Sequence, residues 1–543
     1  MAERTYDGII IGAGQHGLIL GAYLVKAGLK ILVVERRLMY GGGLMTTEPM
    51  LPGFYVNPHS INHFNVTNAP WYRDLELEER VPYITPRYDM ASPHKDGTAL
   101  VWSRDREELI ATIARFSKKD AETFRHWNAV SDRLNDQVFL PERFSEPLPE
   151  HERNELLGRT ELGRAFLEMI NQQPLSFVTS NFESEKIQLL LLFRLSLFGT
   201  VLYDALQEKS PMGAVIRGFD LNAGYQICVG GSFNLARGLM ETYLRAGGDV
   251  LNQAHVSRIT IEAGRATGIE LADGRTFRAR HFVSSTVDVP QTFNVMVGRE
   301  HLPKDHLARI DAFRHTGWAL YGLHLCLREA PRYASASFDP NINTVQKYNI
   351  GCETLEQLFD THKEVGQGKV PSQISFGTGS MTVFDPSQAP RGMHTAYGWH
   401  VMPFRPNGQD PSTVDSFKEE FADRMIEKWR EYAPNLTKDN ILARWIYTPY
   451  DYTRELINMV NGDIFMGSFT ADQVMYNHIG YRTPIKSLYL SGSPTHPGGA
   501  ISGGGGYISA RIIADDLGLK PWWRPVDARA ALQEMSDPIA ERA

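Results

Sequence analysis

Six residues near the N-terminus, Gly12-Ala13-Gly14-Gln15-His16-Gly17, lie between an apolar run, Tyr6 to Ile11, and a helical pattern from Gln15 to Ala27. A G-x-G-x-x-G turn in that setting leaves the chain few folds to choose from. Gly12 permits the tight turn, Gly14 lets the backbone approach a pyrophosphate, and Gly17 lets helix and strand pack closely. Gln15 and His16 open the helix, whose N-terminus offers free N–H groups and a partial positive charge to phosphate, and both count as cofactor residues. Lys30 to Val34 makes a second strand, closed by Glu35, where a carboxylate accepts hydrogen bonds from an adenosine ribose and disfavours a 2′-phosphate. Together these make a βαβ unit for a dinucleotide; a glycine turn with no nucleotide is the competing reading.

The rest of the chain must supply a second layer, because 543 residues exceed what one core usually organises. Basic and acidic residues number 56 and 63, the net charge is -7, and no run of like charge forms a nucleic-acid patch, so a small-molecule partner is expected. Cys228, Cys326 and Cys352 form neither a C-x-x-C pair nor a zinc pattern and read as buried thiols. Met1 to Tyr6 lacks the features of a secretory signal, which makes a cytoplasmic location the expectation. The most apolar helical stretch, Ile187 to Phe198, is interrupted by Arg194. It is too short for a span of about 20 apolar residues and reads as a buried helix or a surface for peripheral membrane contact. Oligomeric state is left open.

From about Pro70 to Tyr225 the pattern is helical and amphipathic, as in Arg106 to Phe116 and Lys118 to Leu134, with few strand signals. After Gly230 and Gly231 an amphipathic helix leads into Val250 to Leu271, with Asp273-Gly274 as a hairpin turn. Val289 to Asn477 mixes strands, Ala319 to Leu327 and His394 to Met402, with a helix at Ser416 to Tyr432. Ser487 to Leu517 holds a last strand and helix, and Pro521 to Ala543 reads as a polar tail. A second glycine cluster, Gly377-Thr378-Gly379, lacks the third glycine and the following helix, so it reads as chance. One dinucleotide site without C-x-x-C argues against a two-nucleotide disulfide reductase.

Three blocks carry a resemblance. Arg36 and Arg37 precede Gly41-Gly42-Gly43-Leu44-Met45-Thr46-Thr47-Glu48. Physically, paired glycines let the backbone pass close to a ribityl-phosphate chain, although a plain surface turn competes with that reading. Gly230 to Val283 encloses Ala254-His255-Val256-Ser257-Arg258-Ile259, and Leu488 to Ala500 contains Gly492-Ser493-Pro494-Thr495-His496-Pro497-Gly498-Gly499. On these blocks the chain resembles the phytoene desaturase family of FAD-dependent oxidoreductases, with amine oxidase-like features. Asn461 to Gly467 followed by Asp472-Gln473 is similar to its pyridine nucleotide-disulfide oxidoreductase-like branch, with Met466 where a histidine is common.

The resemblance implies an α/β fold: a doubly wound, Rossmann-like FAD-binding domain built from residues 1–75, 226–290 and 478–520, with an inserted α+β substrate or cap domain, 76–225 and 291–477, and a tail, 521–543. It implies cofactor contacts from Arg36, Gly42, Gly43, Leu44, Thr47, Val256, Gly492, Ser493, His496, Pro497, Gly498 and Gly499. It also implies a helix after Gly503 to Gly506, from about Tyr507 to Leu517, with its N-terminus toward the flavin pyrimidine. No cysteine stands in Gly503 to Gly506, so the FAD is expected to be non-covalent.

The implied reaction removes two hydrogens from a mainly apolar small molecule, hydride passing to flavin N5 and a base taking the proton. No second nucleotide fold follows Gly274, so O2 or a quinone is the expected electron acceptor. His59, in Gly53 to Ser60, is a candidate acid or base, with a structural role as the alternative, and Tyr507 is the other catalytic candidate. His59 and His63 are four apart but lack a Glu at position 60 and a third ligand, so no metal is expected. Trp445 to Tyr452 reads as core. Redox-neutral isomerisation or saturation of a double bond, and a non-catalytic FAD-containing binding protein, are the rival functions.

Overall fold

The computed structural model describes residues 4–196, 208–213, 217–221 and 224–536. The first strand, Arg4–Ile11, and the second, Ile31–Val34, pair in parallel on either side of the helix Gln15–Lys26. That helix is buried from Gln15 to Val25 because it lies between the sheet and two further helices, Phe233–Arg245 and Gly504–Asp516. Parallel partners are added by Asp249–Leu251 beside Ile31–Val34, Thr276–Ser285 beside Arg4–Ile11, and Leu488–Leu490 beside Thr276–Ser285. Arg265–Leu271 and Val256–Glu262 extend the sheet antiparallel. Strands far apart in sequence therefore build one doubly wound layer, with its ligand crevice at their carboxyl ends.

A second seven-stranded sheet runs in the order Ile441–Tyr447, Ala319–Leu327, His394–Met402, Phe376–Gly379, Val345–Ile350, Tyr88–Pro93, Ala99–Ser103. Two of its strands, Tyr88–Pro93 and Ala99–Ser103, come from the stretch that reads as helical in sequence; their apolar residues are buried on both faces, which hides the alternation that marks a strand. Across the middle of this sheet Tyr447, Gly322, Trp399, Gly377 and Asn349 stand directly opposite one another, strand by strand. Gly377, which reads as chance in sequence, thus leaves a gap in the side-chain layer of that face.

The apolar helix Glu185–Ser196 is internal: Leu189, Leu190 and Leu192 are fully buried, and its interrupting Arg194 pairs with buried Asp89. The end of the expected helix at Phe198 lies outside the described residues. None of the described helices is long and apolar enough to cross a membrane. The expected polar tail is corrected as far as residue 536: Trp522 donates to the Tyr23 carbonyl, Trp523 is buried against the Tyr23 ring, and Ala528–Gln533 is helical. Residues 537–543 lie outside the described residues. All three cysteines are buried free thiols.

Candidate functional site

At the carboxyl end of the first strand the chain turns through Gly12 into the first helix, beside a cavity of about 350 Å³. Gly12, Gly14, Gln15, His16, Glu35, Arg36, Gly42, Gly43, Leu44, Val256 and Ser493 all line it. Gly14 and Gly42 meet backbone to backbone, a Cβ on Gly42 falling 3.2 Å from the Gly14 Cα, and Gly42 itself has φ +59°. Glycine at both positions keeps the cavity floor open. Gly17 lies behind that floor, where a Cβ would lie 2.0 Å from the Gly12 carbonyl oxygen, so its part is the close packing of helix on turn.

The polar groups along this wall fit a dinucleotide. Glu35 accepts from the Ala13 N–H at 3.1 Å and from the Arg37 N–H at 2.9 Å, which aims a carboxylate with spare lone pairs into the cavity. His16 accepts at Nδ1 from the Gly506 N–H, 3.2 Å away, and burial pushes its pKa down to about 4. The ring is therefore neutral with its proton on Nε2, and that buried N–H and the buried Oε1 of Gln15 have no partner among the described residues. A donor left over beside a helix N-terminus suits a phosphate oxygen.

Thr47 does not reach the cavity: its backbone forms a bridge with Val56. Gly492 packs on the Thr286 carbonyl and Gly499 against Phe465. His496 donates from Nε2 to the Glu142 carbonyl at 2.7 Å, tying its turn to a cap helix, and with Pro497 and Gly498 it faces a separate small cavity. The C-terminal block touches the cofactor cavity instead through Ser493 and through Ala500 and Ile501, two residues with left-handed φ of +62° and +59°. Such a conformation is strained for a β-branched side chain. The expected helix N-terminus is also engaged elsewhere, since the Gly504 N–H goes to Ser502 and that of Gly506 to His16. The assignment of Tyr507 to catalysis is corrected. Its ring packs on Tyr23 and Phe144 in the core, and its hydroxyl accepts from the Val526 N–H, away from both cavities described here.

A second cavity, of about 170 Å³, covers one face of the second sheet and is walled mainly by aromatic and aliphatic side chains, among them Trp318, Leu320, Tyr397, Trp399 and Phe376. The two cavities share Gly43, Met459, Ile464, Ala500 and Ile501. His59 stands at this junction, its Cβ 3.7 Å from where a Cβ on Gly43 would lie. Its Nε2 lies 2.9 Å from the Tyr447 hydroxyl, which in turn lies 2.5 Å from Glu455 Oε2. A carboxylate only accepts, so Tyr447 donates to Glu455 and takes the His59 Nε2–H. Burial, with Arg37 and His324 nearby, pushes the His59 pKa down to about 3. The neutral ring therefore carries its lone pair on Nδ1, which is buried and has no partner among the described residues. The chain from His59 through Tyr447 ends at Glu455, whose side chain is 32% exposed and ion-paired with Arg37.

His63, by contrast, bonds to Tyr83 and Ser232 and shares nothing with His59. Tyr447 and Tyr452, which read as core, flank the His59 ring; their sequence offers no signal, because the contact joins residues 388 and 393 positions apart in the chain. The segment Leu456 to Met459 likewise walls the cofactor cavity from within the region expected to be cap alone.

A Rossmann-like nucleotide crevice opening onto an apolar chamber, with the chamber built on a second sheet, is the architecture of a flavin-dependent oxidoreductase. Residues 10–75 match the NAD(P)-binding Rossmann-like domain model. A limonene dehydrogenase polypeptide of Castellaniella defragrans is 32% identical over 98% of both chains. The lycopene-forming phytoene desaturase of a Paracoccus species is 24% identical over 94% of this chain and 97% of its own. Among solved structures, a triple mutant of putrescine oxidase superposes with a TM-score of 0.61 at 14% identity, covering 95% and 99% of the two chains, and shares the fold. The chain belongs to the phytoene desaturase-related family of FAD-dependent oxidoreductases.

Proposed function

We propose that this chain binds FAD non-covalently in the crevice beside Glu35 and removes two hydrogens from a small, mainly apolar molecule held over the second sheet. One observation carries the reading: the polar nucleotide cavity and the apolar cavity meet at Gly43, Met459, Ile464, Ala500 and Ile501, with His59 at the junction. Bound there, FAD supplies a two-electron acceptor for a hydride. The protein's part is to exclude water with the aromatic wall, to hold the substrate across the junction, and to take the proton. His59 Nδ1 is the base. As it gains a proton, its Nε2–H moves toward Tyr447 and the tyrosine proton toward Glu455, so the charge leaves the apolar chamber for a half-exposed carboxylate. The relative named for limonene supports a hydrocarbon-like substrate. Dioxygen or a quinone serves as the final acceptor.

The test is anaerobic mixing of FAD-loaded protein with a panel of small alkenes, alicyclic alcohols and amines, following visible flavin absorbance. At least one apolar member bleaches the wild type and does so far more slowly in His59→Ala, while FAD affinity is kept. If none of the panel bleaches the wild type, the dehydrogenase reading falls; if His59→Ala bleaches at the wild-type rate, His59 is not the base.

A further inference from the structure

Lys347 lines the same apolar cavity, on the strand Val345–Ile350, and is only 6% exposed. Its alternation with Asn349 puts it on the face that carries Trp399 and Tyr447. Four strand spacings separate its strand from Ile441–Tyr447, so about 19 Å of sheet lies between the lysine and the strand whose Tyr447 contacts His59. The cavity therefore has two chemically different ends.

The charge around Lys347 is out of balance. Its Nζ lies 3.5 Å from the centre of the Tyr225 ring and 4.0 Å from Asp89 Oδ1, and it has no hydrogen-bond partner among the described residues. Asp89 is already engaged: Arg194 holds its Oδ2, and Arg104 lies 3.6 Å from its Oδ1. One carboxylate thus faces three cations, and among those three only Lys347 lines the cavity. Burial lowers its pKa to about 7, with repulsion from Arg194 and Arg104 adding to the fall and Asp89 opposing it. A plain hydrocarbon in the cavity would leave this ammonium dry and without a counter-charge, a costly state for a buried ion.

We infer that the substrate is amphipathic: a carboxylate seats on Lys347, and an apolar body runs along the aromatic face to bring its reacting C–H bonds to His59. The inference rests on the dehydrogenase reading above and narrows its substrate class. A single ammonium with three donors, backed by an aromatic ring, matches a monoanion; a phosphate ester would require further free donors at the same spot. The flanking groups set the orientation, since a substrate amine at this end would meet three cations.

The test is calorimetry with octanoate and 1-octanol on the FAD-loaded protein, accompanied by the visible flavin spectrum. Wild type binds octanoate at least tenfold more tightly than octanol, Lys347→Met abolishes the difference, and Lys347→Arg retains it. At pH 8, where Lys347 is largely neutral, octanoate binding takes up close to one proton in wild type and none in Lys347→Met. Asp89, Arg104, Arg194 and Tyr225 face the lysine and His362 lines the cavity, yet none of these changes charge near that pH. Equal affinity for octanol and octanoate, or an unchanged preference in Lys347→Met, overturns the carboxylate site alone. If neither probe binds or perturbs the flavin, the apolar cavity is not the substrate chamber, and the dehydrogenase reading goes with it.

Discussion

Tyr447→Phe isolates the proton path from everything else in the site. The substitution keeps the ring that packs at 5.2 Å from His59 and removes the one oxygen that joins His59 Nε2 to Glu455. A buried N–H that loses its acceptor costs about 1–3 kcal/mol. Glu455 adds little, because its exposed oxygen finds water. The imidazole can recover part of the loss by moving its proton to Nδ1, which turns the lone pair away from the cavity and toward the phenyl ring. The base is then in the wrong tautomer, and its proton has no route outward. A positioned base contributes about 100- to 10000-fold to a rate, so flavin reduction at saturating substrate should slow by about 100-fold or more. FAD affinity should stay within about threefold, since Tyr447 is not part of the cofactor cavity wall. His59→Ala should cause a similar loss, and the double variant should be no worse than His59→Ala alone, because the two residues act as one unit. Stopped-flow reduction under anaerobic conditions reads all three. Reduction of Tyr447→Phe at the wild-type rate, or losses that multiply in the double variant, would refute the relay.

The remaining expectations concern cofactor, core and acid stability. Glu35→Ala should weaken FAD binding by about 1–3 kcal/mol while the chain still folds, and heat-denatured wild type should release FAD by chromatography; an unchanged dissociation constant would reduce Glu35 to its bonds with Ala13 and Arg37. Asp89→Asn leaves buried Arg194 without its carboxylate and should cost about 3–5 kcal/mol in a denaturant titration, whereas a loss under about 1 kcal/mol would mean that the pair is not formed in solution. His16, His59, His63, His324, His362, His400, His478 and His496 all have pKa values pushed down to about 3 or 4 by burial. Below the unfolded value of about 6.5 only the unfolded chain takes up these protons, so stability falls as pH drops, by up to about 1.4 kcal/mol per unit for each ring. Circular dichroism should show acid unfolding between about pH 6 and 5, and a native spectrum held down to pH 4 would contradict the burial of these rings as neutral groups.

The first βαβ unit is legible in the chain because every part of it is local: a strand, a glycine turn and a helix of fixed length bring Gly12, Gly14, His16 and Glu35 to one crevice with no help from elsewhere. Gly41 to Leu44 and Val256 follow by resemblance, and the cavity includes Gly42, Gly43, Leu44 and Val256. The C-terminal block shows where this stops. Its conspicuous residues, His496 to Gly499, hold the turn to the cap, while the plain Ala500 and Ile501 bend into a left-handed conformation and form the junction. Nothing in an alanine or an isoleucine announces that geometry, which surrounding packing imposes.

Tertiary structure alone decided the chemistry of the chamber. Tyr88–Pro93 and Ala99–Ser103 are buried on both faces and so carry no strand signature, yet they complete the sheet that sets Asp89 beside Lys347. His59 meets Tyr447 across 388 residues, and Lys347 meets Tyr225 across 122. What the amino-acid sequence determines by itself is the phosphate-binding turn and the ribose acid, because periodicity and glycine placement act within a few residues. Which base faces the cavity, and which cation waits at its far end, depends on strand order and register, and those are set only when distant segments bury their apolar faces against one another.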